Sequence, residues 1–240
     1  MISDDGRRMS EALDKADMEV ATSNDPLQSP DTRLRILHAA RLVFSQKGLG
    51  GARVNEIAAQ ARVNKQLIYY YFDDKEKLYG KVLEEAYRDI RERGGTLELE
   101  SLNPDEAMAA FIRSNFDFLV ENRHFVSLVN DENIHGARHI EESEQISGLH
   151  AALRQSLGRT LDRGIEEGFF ARSVDPMELY ISIASLTYFS FSNTFTLSAI
   201  FGTNVTSPER LEARREQVVE MILCFLKTPA GKVGFGAQTS

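Results

Sequence analysis

Residues 54–75 read VNEIAAQARVNKQLIYYYFDDK. Two short helical patterns flank a tight turn. In the first, Val54, Ile57, Ala58 and Ala61 fall on one face at helical spacing. In the second, Ile68, Tyr71 and Phe72 turn inward, while Gln66, Tyr69 and Tyr70 point outward together with Lys65 at their flank. Asn64 stands where an N-cap belongs, and Ala58 is small enough to let two helices cross closely. The pattern predicts a helix-turn-helix, a unit whose second helix can lie in a DNA major groove. The outward residue types suit that role. Lysine reaches guanine O6/N7 or a phosphate, glutamine pairs with adenine, and tyrosine hydroxyls bond phosphate. The plainer reading, a surface helix with aromatic decoration, leaves two outward tyrosines without a purpose.

From about Asp31 to Leu78 the chain resembles the TetR/AcrR family of transcriptional regulators. The matching pieces are ILHAARLVFSQKG, then VNEIAAQARVNKQLIYYYF, then DKEKLY. YYYF followed three residues later by a lysine is the most specific part. The resemblance implies an all-α fold: an N-terminal three-helix helix-turn-helix DNA-binding domain plus a C-terminal helical domain for effector binding and dimerisation. It implies a homodimer that reads a palindromic double-stranded operator, with recognition helices about 34–36 Å apart. The candidate DNA-contacting set is Arg53, Asn55, Asn64, Lys65, Gln66, Tyr69, Tyr70 and Lys75, the last matching a phosphate-contacting lysine of the family. Two positions depart from the family pattern. Arg62 stands where the family usually has glycine, at a cost of roughly 1 kcal/mol if the turn needs a positive φ. Arg53 replaces a Thr or Ser cap and brings a positive charge beside an expected phosphate.

The charge distribution fits this picture. The 240-residue chain carries a net −8, which by itself is wrong for a DNA-binding protein. Yet residues 31–81 hold ten Lys/Arg against five Asp/Glu, whereas the remainder holds eighteen against thirty-one. Positive charge is gathered on the segment with the helix-turn-helix grammar. With 42% hydrophobic and 27% charged residues the chain reads as globular. Its one cysteine, Cys224, excludes an internal disulfide and suits a reducing cytoplasm; among Ile222, Leu223 and Phe225 it reads as a small buried hydrophobe. The first thirty residues lack the apolar core of a secretory signal.

Punctuation divides the chain into a disordered tail (1–29), the DNA-binding domain (30–78), a helical effector-binding and dimerisation domain (79–228) and a flexible tail (229–240). Expected helices run over 30–47, with Ile36, Ala40, Val43 and Phe44 inward, and over 75–93, capped by Asp73 or Asp74 and ended by Gly94-Gly95. Further helices are expected near 104–121, 123–133 and 141–167, the last stopped by Gly168, and again from Pro176 and Pro208. Residues 179–201 carry no charge, but nine of them are Ser, Thr or Asn, which favours a helix buried by protein on most sides over a membrane span. The final helix, 208–226, has Leu211, Val218, Ile222 and Phe225 on one side. It and the uncharged stretch are the expected homodimer contact, the last two helices of the chain.

A small-molecule effector, aromatic or lipophilic, is implied in the C-terminal domain. The candidate wall is Phe111, Phe118, Phe125, Leu153, Tyr188 and Phe189, with Val129 and Leu149 beside it and Asn130, Asn133 and Arg138 as polar anchors. Each aromatic has ordinary core packing as its plainer role. His124, His135, His139 and His150 with Asp131 and Glu132 raise a metal site, and His135 and His139 have i,i+4 spacing; no H-E-x-x-H or cysteine ligand set supports it. No catalytic constellation, phosphate-cradling loop or dinucleotide fingerprint appears, so neither an enzyme nor a cofactor is expected. The reading is a ligand-responsive repressor in the cytoplasm. Its alternatives are an activator of the same fold and a helical small-molecule binder with a vestigial DNA module.

Overall fold

The computed structural model describes residues 30–95 and 99–229. The expected tails, Pro229 excepted, lie outside the described residues. All secondary structure among those residues is helical. The chain divides into two compact units, 1–82 and 83–240.

In the first unit, α1 (Pro30–Gly51) buries Ile36, Leu37, Ala40 and Phe44. Leu37 belongs to this inner side and the expected Val43 is only half-buried. The helix breaks after Lys47 as expected, because Gly48 takes φ 65°, ψ 175°, but one more turn follows before the chain leaves at Ala52. α2 (Val54–Ala61) buries Ile57, Ala58 and Ala61, with Val54 half-buried. α3 (Lys65–Phe72) buries Ile68 and Phe72. The edge of the Phe44 ring meets Tyr79, centroids 5.0 Å apart, at the start of α4 (Lys75–Gly95). Small side chains on α2 and large ones on its neighbours let α2 and α3, each of eight residues and too short to persist alone, share one core with α1.

Among the described residues the second unit holds the rest of α4 and seven further helices: α5 (Pro104–Glu121), α6 (Arg123–Ile134), α7 (Arg138–Glu141), α8 (Glu144–Glu166), α9 (Pro176–Ser192), α10 (Thr194–Phe201) and α11 (Pro208–Lys227). α5 and α9 lie centrally, each packed on α8 and α11 as well as on the other. Met108, Ile112, Leu157, Ile183, Val218 and Leu226 fill the space between them. The punctuation works as the residue types dictate. Asn103 Oδ1 accepts the Glu106 N–H at 2.9 Å, and Asp175 Oδ1 accepts that of Met177 at 2.8 Å. Gly168, at φ 78°, follows the end of α8, and the Phe170 N–H returns to the Gly164 carbonyl at 2.8 Å.

Three expectations are corrected here, and the His135/His139 spacing meets the helix break that Gly136 makes. The helix placed at 141–167 is two, because Ser143 caps a new start at Glu144. His135 and His139 do not share a helix: Gly136 and Ala137 both take positive φ between them. His135 Nδ1 turns to the Asp131 carbonyl, while His139 pairs with buried Glu132, whose carboxylate also accepts the His139 N–H at 2.7 Å at the start of α7. The uncharged stretch 179–201 is not enclosed. It breaks at Asn193, only Leu179, Ile183, Thr187 and Phe191 are buried, and α10 buries nothing. Finally, Cys224 and Phe225 face out, Phe225 beneath the Arg172 guanidinium at 4.3 Å. No described helix is long and apolar enough to cross a membrane.

Candidate nucleic-acid interface and ligand cavities

The turn between α2 and α3 sets the first site. Arg62 takes the left-handed conformation, φ 56°, ψ 46°. Its N–H and that of Val63 satisfy the carbonyls of Ala59 and Ala58 at 3.2 and 3.0 Å. This is the positive φ that the family's glycine would accommodate freely. Asn64 Oδ1 then accepts the Gln66 N–H at 2.8 Å and starts α3. Arg53, at the head of α2, makes no side-chain cap.

With Ile68 and Phe72 anchored, the opposite side of α3 faces solvent. Lys65, Gln66, Tyr69 and Tyr70 are all exposed there. The Lys65 ammonium lies 5.5 Å from the centre of the Tyr69 ring, and Tyr71 packs edge-on to Tyr70 at 5.3 Å. These contacts restrict long side chains before any ligand arrives. Arg53, Asn55 and Asn64 are exposed nearby in sequence, on α2 and its turn. Lys75 is different: its ammonium donates to the carbonyls of Leu49 at 2.7 Å and Ala52 at 3.3 Å, tying the start of α4 to the end of α1. Two of its three N–H bonds are thereby used. α3 ends in a tight reversal at Asp73, φ 60°, ψ −57°, where the Asp74 N–H meets the Phe72 carbonyl at 2.6 Å. Such three-residue turns are strained and rare. Asp74 then caps α4 through the Lys77 N–H at 2.8 Å, and Asp73 pairs with Lys77 at 2.9 Å.

Among the hollows of the second unit, two neighbours of about 390 and 330 Å³ share Ile90 and Asn115 in their walls. Both volumes suit a small ligand. Of the residues expected from sequence, Phe125, Val129 and Tyr188 line the larger, and Phe111, Leu149 and Leu153 line the smaller. Asn130 stands behind the larger wall, sharing the Tyr188 hydroxyl with the Val126 carbonyl. Phe118 is spent on core packing against Phe125 at 5.5 Å. Asn133 and Arg138 lie exposed, the former bonded to its own helix, and Phe189 is 56% exposed; none of the three lines either hollow.

Among the lining residues outside the expected set are four with polar or titratable groups of particular interest: Tyr87 and Arg91 from α4, His150 from α8 and Tyr180 from α9. The Arg91 guanidinium donates to the Tyr180 hydroxyl at 2.9 Å and lies 3.4 Å from His150 Nε2. His150 Nδ1 faces the Ile146 carbonyl at 2.9 Å, so Nδ1 carries the proton and Nε2 is an acceptor. Burial, then the Arg91 charge, lower the His150 pKa, which keeps the ring neutral at pH 7. Burial first, with help from Tyr180, pushes the Tyr87 hydroxyl up to about 12, so it remains a donor.

Both halves of the chain are similar to known proteins. Residues 36–82 match the model of bacterial regulatory proteins, tetR family. Residues 104–222 match the tetracyclin repressor-like C-terminal domain. The HTH-type transcriptional repressor NicS of Pseudomonas putida is 32% identical over 182 residues, 76% of this chain and 86% of its own. A bacterial regulatory protein of the tetR family from Rhodococcus RHA1 superposes with a TM-score of 0.66 at 18% identity, covering 85% of this chain and 100% of that one. The ketosteroid transcriptional regulator KstR2 of Mycobacterium tuberculosis gives 0.62 at 20% identity, covering 84% and 97%. At these identities the two structures speak for the fold alone. Matched in both halves by the family's domain models and along most of its length by a repressor, the chain belongs to the TetR family of bacterial regulatory proteins: it is a DNA-binding transcriptional regulator and not an enzyme.

Proposed function

We propose that this chain is a homodimeric repressor that holds a palindromic operator and lets it go when a small molecule occupies the hollows of the second unit. The observation that carries the reading is the outer side of α3, where Lys65, Gln66, Tyr69 and Tyr70 stand exposed above a fully buried anchor, Ile68. Lys65 and Gln66 read base edges, the two tyrosine hydroxyls bond phosphates, and Arg53 and Asn55 add contacts from α2. Pairing of two copies through α9, α10 and α11 is supported by apolar side chains left uncovered on them: on α10 Phe195 is 91% exposed, Ile200 69% and Phe201 68%, with Phe189 of α9 and Met221 of α11 also exposed. α4 begins with Lys75 and carries Tyr87 and Arg91, so one continuous helix joins the unit that meets DNA to the unit that meets the effector. The effector acts by binding more tightly to the dimer that cannot span two half-sites. The protein works in the cytoplasm, where its operator lies.

The test is selection of bound duplexes from a random pool, followed by titration of the winner. A palindrome with half-sites one helical turn apart is expected, with log K falling linearly as log salt rises. Tyr69→Ala should weaken binding about ten-fold and leave the circular dichroism unchanged. It is a cleaner variant than Lys75→Ala, which also unties α4 from α1. No enriched duplex at low salt, or an unchanged titration for Tyr69→Ala, rejects the reading or the role given to α3 respectively.

A further inference from the structure

The polar groups lining the hollows are almost all occupied by their own helices. Ser185 and Thr187 donate to carbonyls one turn back, at 2.7 and 2.8 Å, and Asn115 does the same at 2.9 Å. Apart from the Asn115 amide oxygen, what remains uncommitted is chiefly a set of donors. Arg91 Nε is buried without a hydrogen-bond partner among the described residues. The Tyr87 hydroxyl likewise meets no acceptor among them, and Tyr180, already accepting from Arg91, keeps its own hydrogen to give. A buried guanidinium with an orphan N–H is costly, and the missing partner is an acceptor. Neutral His150 adds no second positive charge. The walls otherwise consist of Ile90, Leu119, Phe125, Ile183 and similar side chains. Of the other charged residues near these spaces, Glu92 and Arg154 are exposed at their outer edges, and the buried Glu132 carboxylate, which bears on the Tyr87 hydroxyl, is bonded to His139.

We propose that Arg91 anchors the carboxylate of an amphipathic monoanion whose apolar body fills the adjoining hollows. This rests on the reading of the second unit as the effector domain, and specifies its ligand. A planar guanidinium matches a carboxylate in shape and charge. One cation balances one negative charge, so a monocarboxylate fits and a phosphate dianion is left half-paired. The apolar walls reject sugars and free amino acids, which carry polar groups the cavity cannot satisfy. An aryl and an alkyl chain present the same head group, and the probes below separate them.

The experiment is calorimetric titration of the full chain with 1-naphthoate, octanoate and the neutral 1-naphthamide. An acid of one or other type is expected to bind about ten- to a hundred-fold more tightly than the amide. Naphthoate ahead of octanoate assigns an aryl ligand, and the reverse an alkyl one. Arg91→Met should erase the preference for acid over amide, and Arg91→Lys should retain part of it. If Arg91→Met does not fold, Tyr87→Phe supplies the second reading, a smaller loss confined to the acid. Equal binding of acid and amide, no binding of either acid, or a preference that survives Arg91→Met overturns the assignment. Operator release separates this failure from that of the repressor reading. A neutral compound that frees DNA while acids do not leaves the ligand-responsive repressor standing and removes the anion site. An acid that binds through Arg91 without freeing DNA does the opposite.

Discussion

Two surfaces of this protein are left uncovered, and they differ in chemistry. On α3 the exposed side chains are Lys65, Gln66, Tyr69 and Tyr70, amphipathic groups with a polar tip on each. On α10 the large exposed side chains are Phe195, Ile200 and Phe201, which have no polar tip, with only the short Thr196 and Ala199 exposed beside them. A helix that meets a phosphate backbone and base edges must keep hydrogen-bonding groups outward. A helix that exposes a cluster of large apolar side chains has no such use and is stabilised when another apolar surface covers it. On the proposed reading the first face is visited by DNA and the second is closed by a second copy.

The sharpest way to break that contrast is to put charge on α10. Phe195→Glu combined with Phe201→Glu removes no buried contact within one protomer, because neither side chain is buried there. Helix content should therefore persist. Sedimentation should show a monomer, and operator affinity should fall about 10²- to 10⁴-fold, since each half-site is then held alone. A variant that stays dimeric and still binds DNA would assign the apolar face to something other than self-association.

A second variant loosens the frame behind both α9 and α11 without touching either face. Gly164 lies on α8 where a Cβ would come 1.9 Å from a ring carbon of Phe170. Phe170 is buried, and its own N–H is tied to the Gly164 carbonyl, so the ring cannot simply swing away. Gly164→Ala should cost about 1–3 kcal/mol and lower the Tm by roughly 2–4 °C per kcal/mol. Gly148, on the same helix, meets nothing within 4 Å. Gly148→Ala should instead stabilise by a few tenths to about 1 kcal/mol through helix propensity. Thermal melts of the pair distinguish close approach from glycine content.

The two units are not equally legible in the sequence. In the first, each feature is local: the alternation of small and large residues on α2 and α3, the Asn64 cap and the aromatic run all act within a few residues. In the second, helix positions follow from Pro176, Pro208 and the caps, yet the hollows do not. Periodicity tells inward from outward, but a helix among several neighbours has more than one inward direction. Phe118 and Phe125 are both inward, and only Phe125 borders empty space. Phe189 shows the converse limit: an apolar residue on an uncharged stretch reads as inward, though that stretch has its covering on the far side. Arg91 does leave a trace, since it continues the stripe of Leu83 and Tyr87 at four-residue intervals along α4. A charge on an inward stripe is a stronger pointer to a ligand than another phenylalanine.

The smallest effect concerns the turn that holds the polar face in place. Arg62 occupies a left-handed position with a full side chain, a conformation that costs an L-residue about 1–2 kcal/mol. Glycine removes that cost but loses more chain entropy on folding, so Arg62→Gly should stabilise by a net of about 0.5–1 kcal/mol. The gain should appear as a Tm higher by roughly 2 °C. DNA binding gives the complementary reading. The Arg62 side chain is exposed. If it serves only the turn, the slope of log K against log salt stays as it was. If it also meets a phosphate, the slope shrinks by about one and affinity drops despite the firmer fold. A variant that loses stability would mean that the arginine side chain holds the turn by contacts outweighing its backbone strain, and the polar face of α3 would then depend on Arg62 for its position as well as its charge.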